Sequence, residues 1–253
     1  MSLAAGIRDR LRTRYVGRLL HVFEVVSSTQ DLARELAAAQ APEGTVVVAE
    51  VQTAGRGRLG RPWVSPRGGL YLSVVLRPPV SPPEVPKLSL VGGVAAARAI
   101  ERACGLTVGL RWPNDLLVSR KKVGGVLAEA GPDARWVVLG IGLNANPSSD
   151  LPEGATSLAA ELGTPVDLGD LFCAVCGELE VVYEAFRGDD FATVLRWWRD
   201  RSTTLGRRVR VHLPSGTYEG IAEAVDGDGA LLLRLPDGSA MRVVAGELAP
   251  GEA

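Results

Sequence analysis

The chain has 253 residues, 46% hydrophobic and 23% charged, with 28 lysines and arginines against 29 aspartates and glutamates. That composition suits a globular protein with one large core, or a core plus a small appended domain, and the near-even charge balance argues against a general polyanion-binding surface. No apolar run reaches the length that spans a bilayer, the arginine-studded first twenty residues lack the apolar core of a secretory signal, and three cysteines close no disulfide framework, which favours a reducing cytoplasm.

Gly6 to Arg14 reads as a short basic amphipathic helix, and Leu20 to Val26 as an apolar strand. Ser27-Ser28-Thr29 then precedes an alanine- and leucine-rich helix over Gln30–Gln40. Ser28 or Thr29 either caps that helix or faces a ligand at the strand-to-helix turn, and position alone leaves both open. Thr45–Val51 is a β-branched strand that runs into Gln52 and the loop Gly55-Arg56-Gly57-Arg58-Leu59-Gly60-Arg61-Pro62-Trp63.

Three glycines let that loop turn freely and approach a ligand closely. Three arginines give it fixed positive charge in a geometry suited to phosphate or carboxylate. No acidic residue occurs from Val51 to Arg67 to neutralise it. Gly/Arg stretches are also solvated loops or RNA-contacting tails, but this one is embedded between the apolar runs Gly44–Ala49 and Leu70–Leu76. It lacks the Gly-Lys-Ser/Thr ending of a phosphate-binding P-loop. An anion-binding loop that is mobile when empty, because its arginines repel one another, is the expectation.

Leu70–Leu76 is a strand, Pro78 to Pro86 an ordered connection, and Leu88–Cys104 a helix. Val108–Trp112 and Leu116–Val118 are short strands flanking Pro113-Asn114-Asp115, and Ser119-Arg120-Lys121-Lys122 is a polar turn. Val123–Glu129 is a strand carrying two glycines, which marks close backbone approach. Trp136–Ile141 is a strand ending in Gly142-Leu143-Asn144, residues 147–155 form a loop, and Leu168–Phe186 and Phe191–Arg199 are helices. Cys173-Ala-Val-Cys176 has redox or metal spacing, yet it falls in an apolar-periodic helix and reads better as two small buried residues.

Composition shifts at Gly206, which divides the chain into 1–205 and 206–253. Strands Arg208–Leu213, Thr217–Val225, Ala230–Leu235 and Met241–Val244 make a small antiparallel barrel of about 45 residues. Asp226-Gly227-Asp228-Gly229 lacks the closing glutamate of a calcium loop and reads as a hairpin turn.

With only His21 and His212 present, histidine-based catalysis and a zinc site are poorly supported. What remains is the cationic loop, Lys121-Lys122 before Gly124-Gly125, and Asn114-Asp115 after a Trp-Pro corner. Fixed cations with an Asn/Asp pair suit reactions in which phosphate charge develops, namely nucleotide-dependent acyl activation or phosphoryl transfer. Each piece alone is equally a turn or a solvated hairpin.

Taken in order, Ser28-Thr29, Gln52 through Trp63, Leu70-Tyr71-Leu72-Ser73, Arg111-Trp112-Pro113-Asn114-Asp115-Leu116, Lys122 through Glu129 and Gly140-Ile141-Gly142-Leu143-Asn144 closely resemble the biotin protein ligases. The resemblance implies an α/β (α+β) fold: a mixed-sheet catalytic domain like that of class II aminoacyl-tRNA synthetases, followed by an SH3-like barrel. The winged-helix DNA-binding domain of some bacterial members is not matched, which implies the non-repressor type. It also implies two half-reactions in the cytoplasm. Biotin and MgATP give biotinyl-5′-adenylate and pyrophosphate, and a lysine of a biotin carboxyl carrier protein then takes the biotin and releases AMP. Neither nucleic acid nor membrane is an implied partner, and a homodimer is a further implied possibility.

Family roles transfer residue by residue. Ser28, Thr29 and Gln52 resemble contacts to the ureido ring of biotin, Gly55 and Arg56 belong to the closing loop, and Gly125, Leu127, Gly140 and Gly142 resemble the pocket lining. Arg58 and Arg61 resemble phosphate contacts, Lys122 the lysine that holds the biotin carboxylate and α-phosphate, and Trp63, Asn114 and Asn144 nucleotide contacts. Asp115 is the candidate for orienting the magnesium ion or the acceptor lysine. Two departures stand out: Arg111 replaces a frequent lysine, and Ala155 falls where some members place an adenine-stacking tryptophan. A lipoate ligase is the nearest rival, because it shares fold and chemistry. An RNA-binding protein would need aromatic stacking platforms, and aromatics are only 5% of the chain.

Overall fold

The chain's valine- and leucine-rich runs assemble into one mixed sheet in the computed structural model, which describes residues 7–147 and 151–249. Its strands are β1 (Leu20–Val26), β2 (Val46–Gln52), β3 (Leu70–Leu76), β4 (Gly109–Arg111), β5 (Asp115–Val118), β6 (Lys121–Ala130) and β7 (Val137–Leu143), in spatial order β1-β2-β3-β7-β6-β5-β4. Among the strands of this sheet in the described residues, only β1 and β2 pair in parallel. Parallel neighbours need a crossover, and α2 (Thr29–Ala38) provides it, burying Ala33 and Ala37 against Val47, Val75 and Val138. The opposite face is covered by α3 (Lys87–Cys104) and α5 (Leu168–Arg187). β3 is therefore buried at every position, which is why it reads as a continuous apolar run and not as an alternation.

α6 (Phe191–Arg199) leads into a five-stranded antiparallel sheet of β8 (Arg208–Leu213), β9 (Gly216–Val225), β10 (Leu231–Arg234), β11 (Ala240–Val243) and β12 (Glu247–Leu248), ordered β11-β10-β9-β8-β12. One apolar core runs through both sheets, with Val211, Ala222 and Leu233 in the same cluster as Leu88 and Val94. Trp112, 2% exposed, sits at the seam. Its backbone N–H donates to Thr204 Oγ1 at 2.9 Å and its indole N–H to the Gly229 carbonyl at 3.1 Å.

Several expectations are corrected in detail. The N-terminal helix is a single turn, α1 (Ile7–Arg10), and Gly6 lies outside the described residues. The chain leaves the helix because the N–H groups of Arg14, Tyr15 and Val16 find the Glu180 carboxylate of α5 instead of a helical carbonyl. Burial opposes that charge, but the three N–H donors outweigh it and hold the Glu180 carboxyl below the usual glutamate range. The loop over 147–155 is interrupted by undescribed residues 148–150, and after it comes an unanticipated α4 (Leu158–Leu162), capped by Ser157 and closed by Gly163 at φ 73. Cys176 is fully buried and Cys173 reaches the Ile7 carbonyl, so the pair packs the helix face. Asp226 accepts the N–H groups of Asp228 and Ala230 and pairs with Arg242, as a hairpin turn does. Among the described residues no helix is long and apolar enough to cross a membrane.

Candidate active site

A cavity of about 240 Å³ opens where the β1–α2 turn, the end of β2, the middles of β3, β6 and β7, the β4–β5 hairpin and the Gly/Arg loop converge. Glycines clear its floor. A side chain at Gly140 would place its Cβ 2.5 Å from Gln30 Oε1, and one at Gly142 would place it 2.7 Å from the Trp63 indole nitrogen. A Cβ at Gly125 would lie 3.6 Å from Cζ3 of the same indole, an ordinary contact, so the tight approaches are at Gly140 and Gly142. These glycines answer the need for close approach that the strand sequence signals.

One end of the cavity is neutral and polar. Ser28 occupies the N-cap position of α2 but makes no capping bond. Gln52 Oε1 accepts the Thr29 backbone N–H instead, at 2.8 Å, and the Thr29 hydroxyl at 3.1 Å. The choice left open by the sequence is thus resolved: Gln52 caps, while Ser28 Oγ is buried, lines the cavity and has no hydrogen-bond partner among the described residues. A buried hydroxyl without a partner costs free energy, so it marks a place where a polar ligand group is welcome. Thr29 Oγ1 lies 2.9 Å from Ser73 Oγ, which donates to Gln30 Oε1, whose amide nitrogen is held by the Val138 carbonyl. This network fixes the polar end in advance of any ligand.

The other end is cationic. The β4–β5 hairpin and the start of β6 set Arg111, Asp115 and Lys122 side by side. Asp115 Oδ1 lies 2.6 Å from Lys122 Nζ, and Oδ2 accepts from Arg111 at 2.5 and 3.2 Å. The Asp115 side chain is 14% exposed and Lys122 33%. Lys122 Nζ also stands 5.3 Å from the centre of the Trp63 ring, a favourable cation–π placement. Three charges, two of them positive, leave a net cation facing the cavity.

The loop arginines do not stand alone. Arg56 pairs with Asp31 of α2 at 2.6 Å and Glu129 of β6 at 3.1 Å. Arg61 pairs with Glu247 of β12, and Arg58 donates to the Gly246 carbonyl at 3.0 Å. Mutual repulsion is therefore not what governs this loop. The missing negative charge comes from three other elements, and the short stretch around the second sheet's last strand holds the loop down. Burial pushes the Arg58 guanidinium below its ordinary value, although Glu247 and Asp115 oppose this.

Of the residues singled out from the sequence, Ser28, Thr29, Gln52, Arg56, Arg58, Arg61, Trp63, Asn114, Asp115, Lys122, Gly125, Leu127, Gly140 and Gly142 all line this cavity. Gly55 lies just behind it, where a Cβ would come within 2.6 Å of Ser65 Oγ and the Trp63 carbonyl. Asn144 is buried outside the lining and donates to the Thr156 carbonyl at 3.1 Å. Asn114 donates to the Val126 carbonyl at 2.9 Å, tying the hairpin to β6. Ala155 bridges to the backbone of Lys122. Gln30, Ser73, Arg111 and Glu247 also line the cavity without having been assigned a role. Ser73 lay inside a quoted motif and Gln30 is a lone amide entering an apolar helix, whereas Glu247 carried no sequence signal at all.

The described residues contain no group of three or more His, Cys, Asp or Glu placed to hold a metal ion. Asp115 does not fit a resident metal, since both its oxygens are engaged by cations.

Residues 22–146 match the biotin/lipoate A/B protein ligase family, and residues 204–248 match the biotin protein ligase C terminal domain. The chain is 37% identical over 241 residues to the bifunctional ligase/repressor BirA of Bacillus subtilis, covering 92% of this chain and 74% of that protein. It is 36% identical over 253 residues to the biotin--[acetyl-CoA-carboxylase] ligase of Mycobacterium tuberculosis, covering 96% and 93%. Among solved structures, the biotin protein ligase from Aquifex aeolicus in complex with biotin and ATP superposes with a TM-score of 0.79 at 31% identity, over 91% of this chain and 97% of that one.

Proposed function

The chain belongs to the biotin/lipoate A/B protein ligase family, and from that premise we propose that it activates biotin with MgATP as biotinyl-5′-adenylate and transfers the biotin to a lysine of a biotin carboxyl carrier protein. The observation that carries this reading is the two-ended cavity. A buried, unpartnered Ser28 hydroxyl lies at one end and the Arg111–Asp115–Lys122 cluster at the other.

In this reading the ureido ring enters the polar end, where Ser28 Oγ, Thr29 and Gln52 meet its N–H and C=O groups. The valeryl chain lies over Gly125 and Gly142 against Trp63. The carboxylate points to Lys122, and a carboxylate oxygen attacks the α-phosphorus of ATP as pyrophosphate leaves. Charge grows on the phosphorus oxygens during that attack, and Lys122, Arg111 and Arg58 are preorganised to meet it. Asp115 keeps Lys122 and Arg111 aimed at the cavity. The ε-amine of the acceptor lysine then attacks the acyl carbon, loses a proton, and AMP departs with the bridging oxygen. The magnesium ion travels with the nucleotide as part of the substrate.

Lipoate is the competing acid. Its dithiolane has no donor or acceptor for Ser28, Thr29 and Gln52 and would leave that end unsatisfied, at a cost that discriminates strongly. We further propose that residues 1–205 carry the chemistry and 206–253 form the appended barrel, supported by the composition change at Gly206 and the start of β8 two residues later, and that three free cysteines suit a cytoplasmic enzyme. The test is pyrophosphate exchange into ATP with biotin, lipoate and octanoate side by side. Biotin alone should support exchange, and exchange with lipoate but not biotin refutes the assignment.

A further inference from the structure

A second concavity, of about 820 Å³, lies between the β4–β5 edge of the large sheet and β8–β9 of the small one. It shares Arg111 and Leu248 with the catalytic cavity, so the two lie side by side at those residues. Its floor is apolar, with Leu117, Val118, Val209 and Leu248. Arginines form its rim. Arg120 and Arg207 are exposed and their side chains make no ion pair or hydrogen bond among the described residues, while Arg208 and Arg210 share the single carboxylate of Glu219 at 3.1 and 3.5 Å. Four rim arginines thus face one acid.

Arg120 is held there against backbone preference. The β5–β6 hairpin turns on Ser119 and Arg120 at φ 49 and 66, a geometry that glycine or asparagine adopts more easily.

We propose that this arginine-rimmed groove docks an acidic face of the acceptor protein beside its target lysine, which enters the catalytic cavity past Arg111. The proposal rests on the transfer reaction put forward above. An apolar floor with an arginine rim is the anatomy of a protein interface, and the groove has no aromatic side chain in its lining on which nucleic acid bases would stack. The acceptor must reach the acyl carbon from outside, and the groove is an arginine-rich surface that adjoins the catalytic cavity at Arg111 and Leu248.

The test compares the wild type, the double variant Arg120→Glu with Arg207→Glu, and the double variant with both arginines changed to lysine. Each is assayed for biotin-dependent pyrophosphate exchange and for biotin transfer to a recombinant carrier domain whose target lysine is flanked by acids, and to the same domain with those acids neutralised to amides. Exchange should be unchanged throughout. The glutamate variant should raise KM for the acidic carrier by about 10- to 100-fold at low salt with kcat kept, from like-charge contact and lost steering. The lysine variant should restore most of the affinity, and the neutralised carrier should not distinguish the enzymes. An unchanged KM, or an equal rise with the neutralised carrier, overturns the proposal. So does loss of binding to a labelled RNA 20-mer in the glutamate variant with carrier KM unmoved, which assigns the groove to nucleic acid. A wild type without biotin-dependent exchange instead sinks the reading of the reaction, and the docking proposal with it.

Discussion

Replacing Lys122 with glutamine separates the chemistry of the cationic cluster from its structural contribution. Lys122 Nζ sits 2.6 Å from Asp115, yet its side chain is 33% exposed, so the ion pair contributes only ~0–1 kcal/mol to folding. Asp115 keeps Arg111 on its other oxygen, and no buried charge is orphaned. For a chain of this size ~1 kcal/mol corresponds to a Tm change of ~2–4 °C. Catalysis is affected differently. A phosphate charge forming ~4 Å from the ammonium is stabilised by ~4 kcal/mol at an effective dielectric of ~20. Removal of one preorganised contact of this kind costs about 100- to 1000-fold in rate. Pyrophosphate exchange with saturating biotin and ATP should therefore fall by two to three orders of magnitude, while calorimetry shows an almost unchanged melting curve. A variant that exchanges within a few-fold of the wild type would mean that Lys122 is only the base of a hairpin.

The floor, the N-terminal anchor and the loop each give a further expectation. Gly142→Ala drives a methyl to within 2.7 Å of the Trp63 indole and should raise KM for biotin by about 5- to 150-fold, the equivalent of ~1–3 kcal/mol of overpacking, whereas a KM within twofold would show that the indole yields freely. Glu180→Gln removes the charged acceptor of three backbone N–H groups and should cost about 1–3 kcal/mol in urea unfolding at neutral pH. Because the Glu180 carboxyl is depressed in the folded protein, its stabilisation is complete above the ordinary glutamate value of about 4.3 and disappears as pH falls through the folded value. The stability difference between wild type and variant should close in acid, and a constant difference down to pH ~2 contradicts this. Glu247→Gln frees Arg61 and should hasten trypsin cleavage after Arg58 several-fold by raising the open population of the loop, with saturating biotin and ATP restoring protection. Unaltered cleavage kinetics would remove β12 as a clasp.

Much of this architecture is legible in the sequence. The all-buried β3 announced itself as an apolar run interrupted only by Ser73, and the glycines of β6 and β7 marked the floor because glycine within a strand signals a close approach. The motif residues from Ser28 to Gly142 converge on one cavity because neighbouring strands bring them to one face of the sheet, beside the β1–α2 turn and the Gly/Arg loop. What stayed hidden depends on partners distant in sequence. Nothing in residues 51–67 shows that Asp31, Glu129 and Glu247 neutralise the loop, since charge pairing across 25, 73 and 186 positions leaves no local pattern. The capping of α2 by Gln52 across 23 positions is hidden for the same reason. The one-turn α4 and two-residue β12 are too short for a periodicity to register.

The seam at Trp112 has a bearing on how this chain could be recombined. Because its amide is satisfied by Thr204 but its indole by Gly229, and the apolar interior runs across the join, a chimaera that exchanges everything after Gly206 for a homologous tail keeps the first partner and loses the second. Such hybrids should express as soluble protein only when the donor also supplies a carbonyl opposite the indole and a complement to the Gly/Arg loop. Shuffling libraries cut at this point should therefore yield survivors clustered by matching at the join and not by overall identity, and the two halves should melt in a single transition.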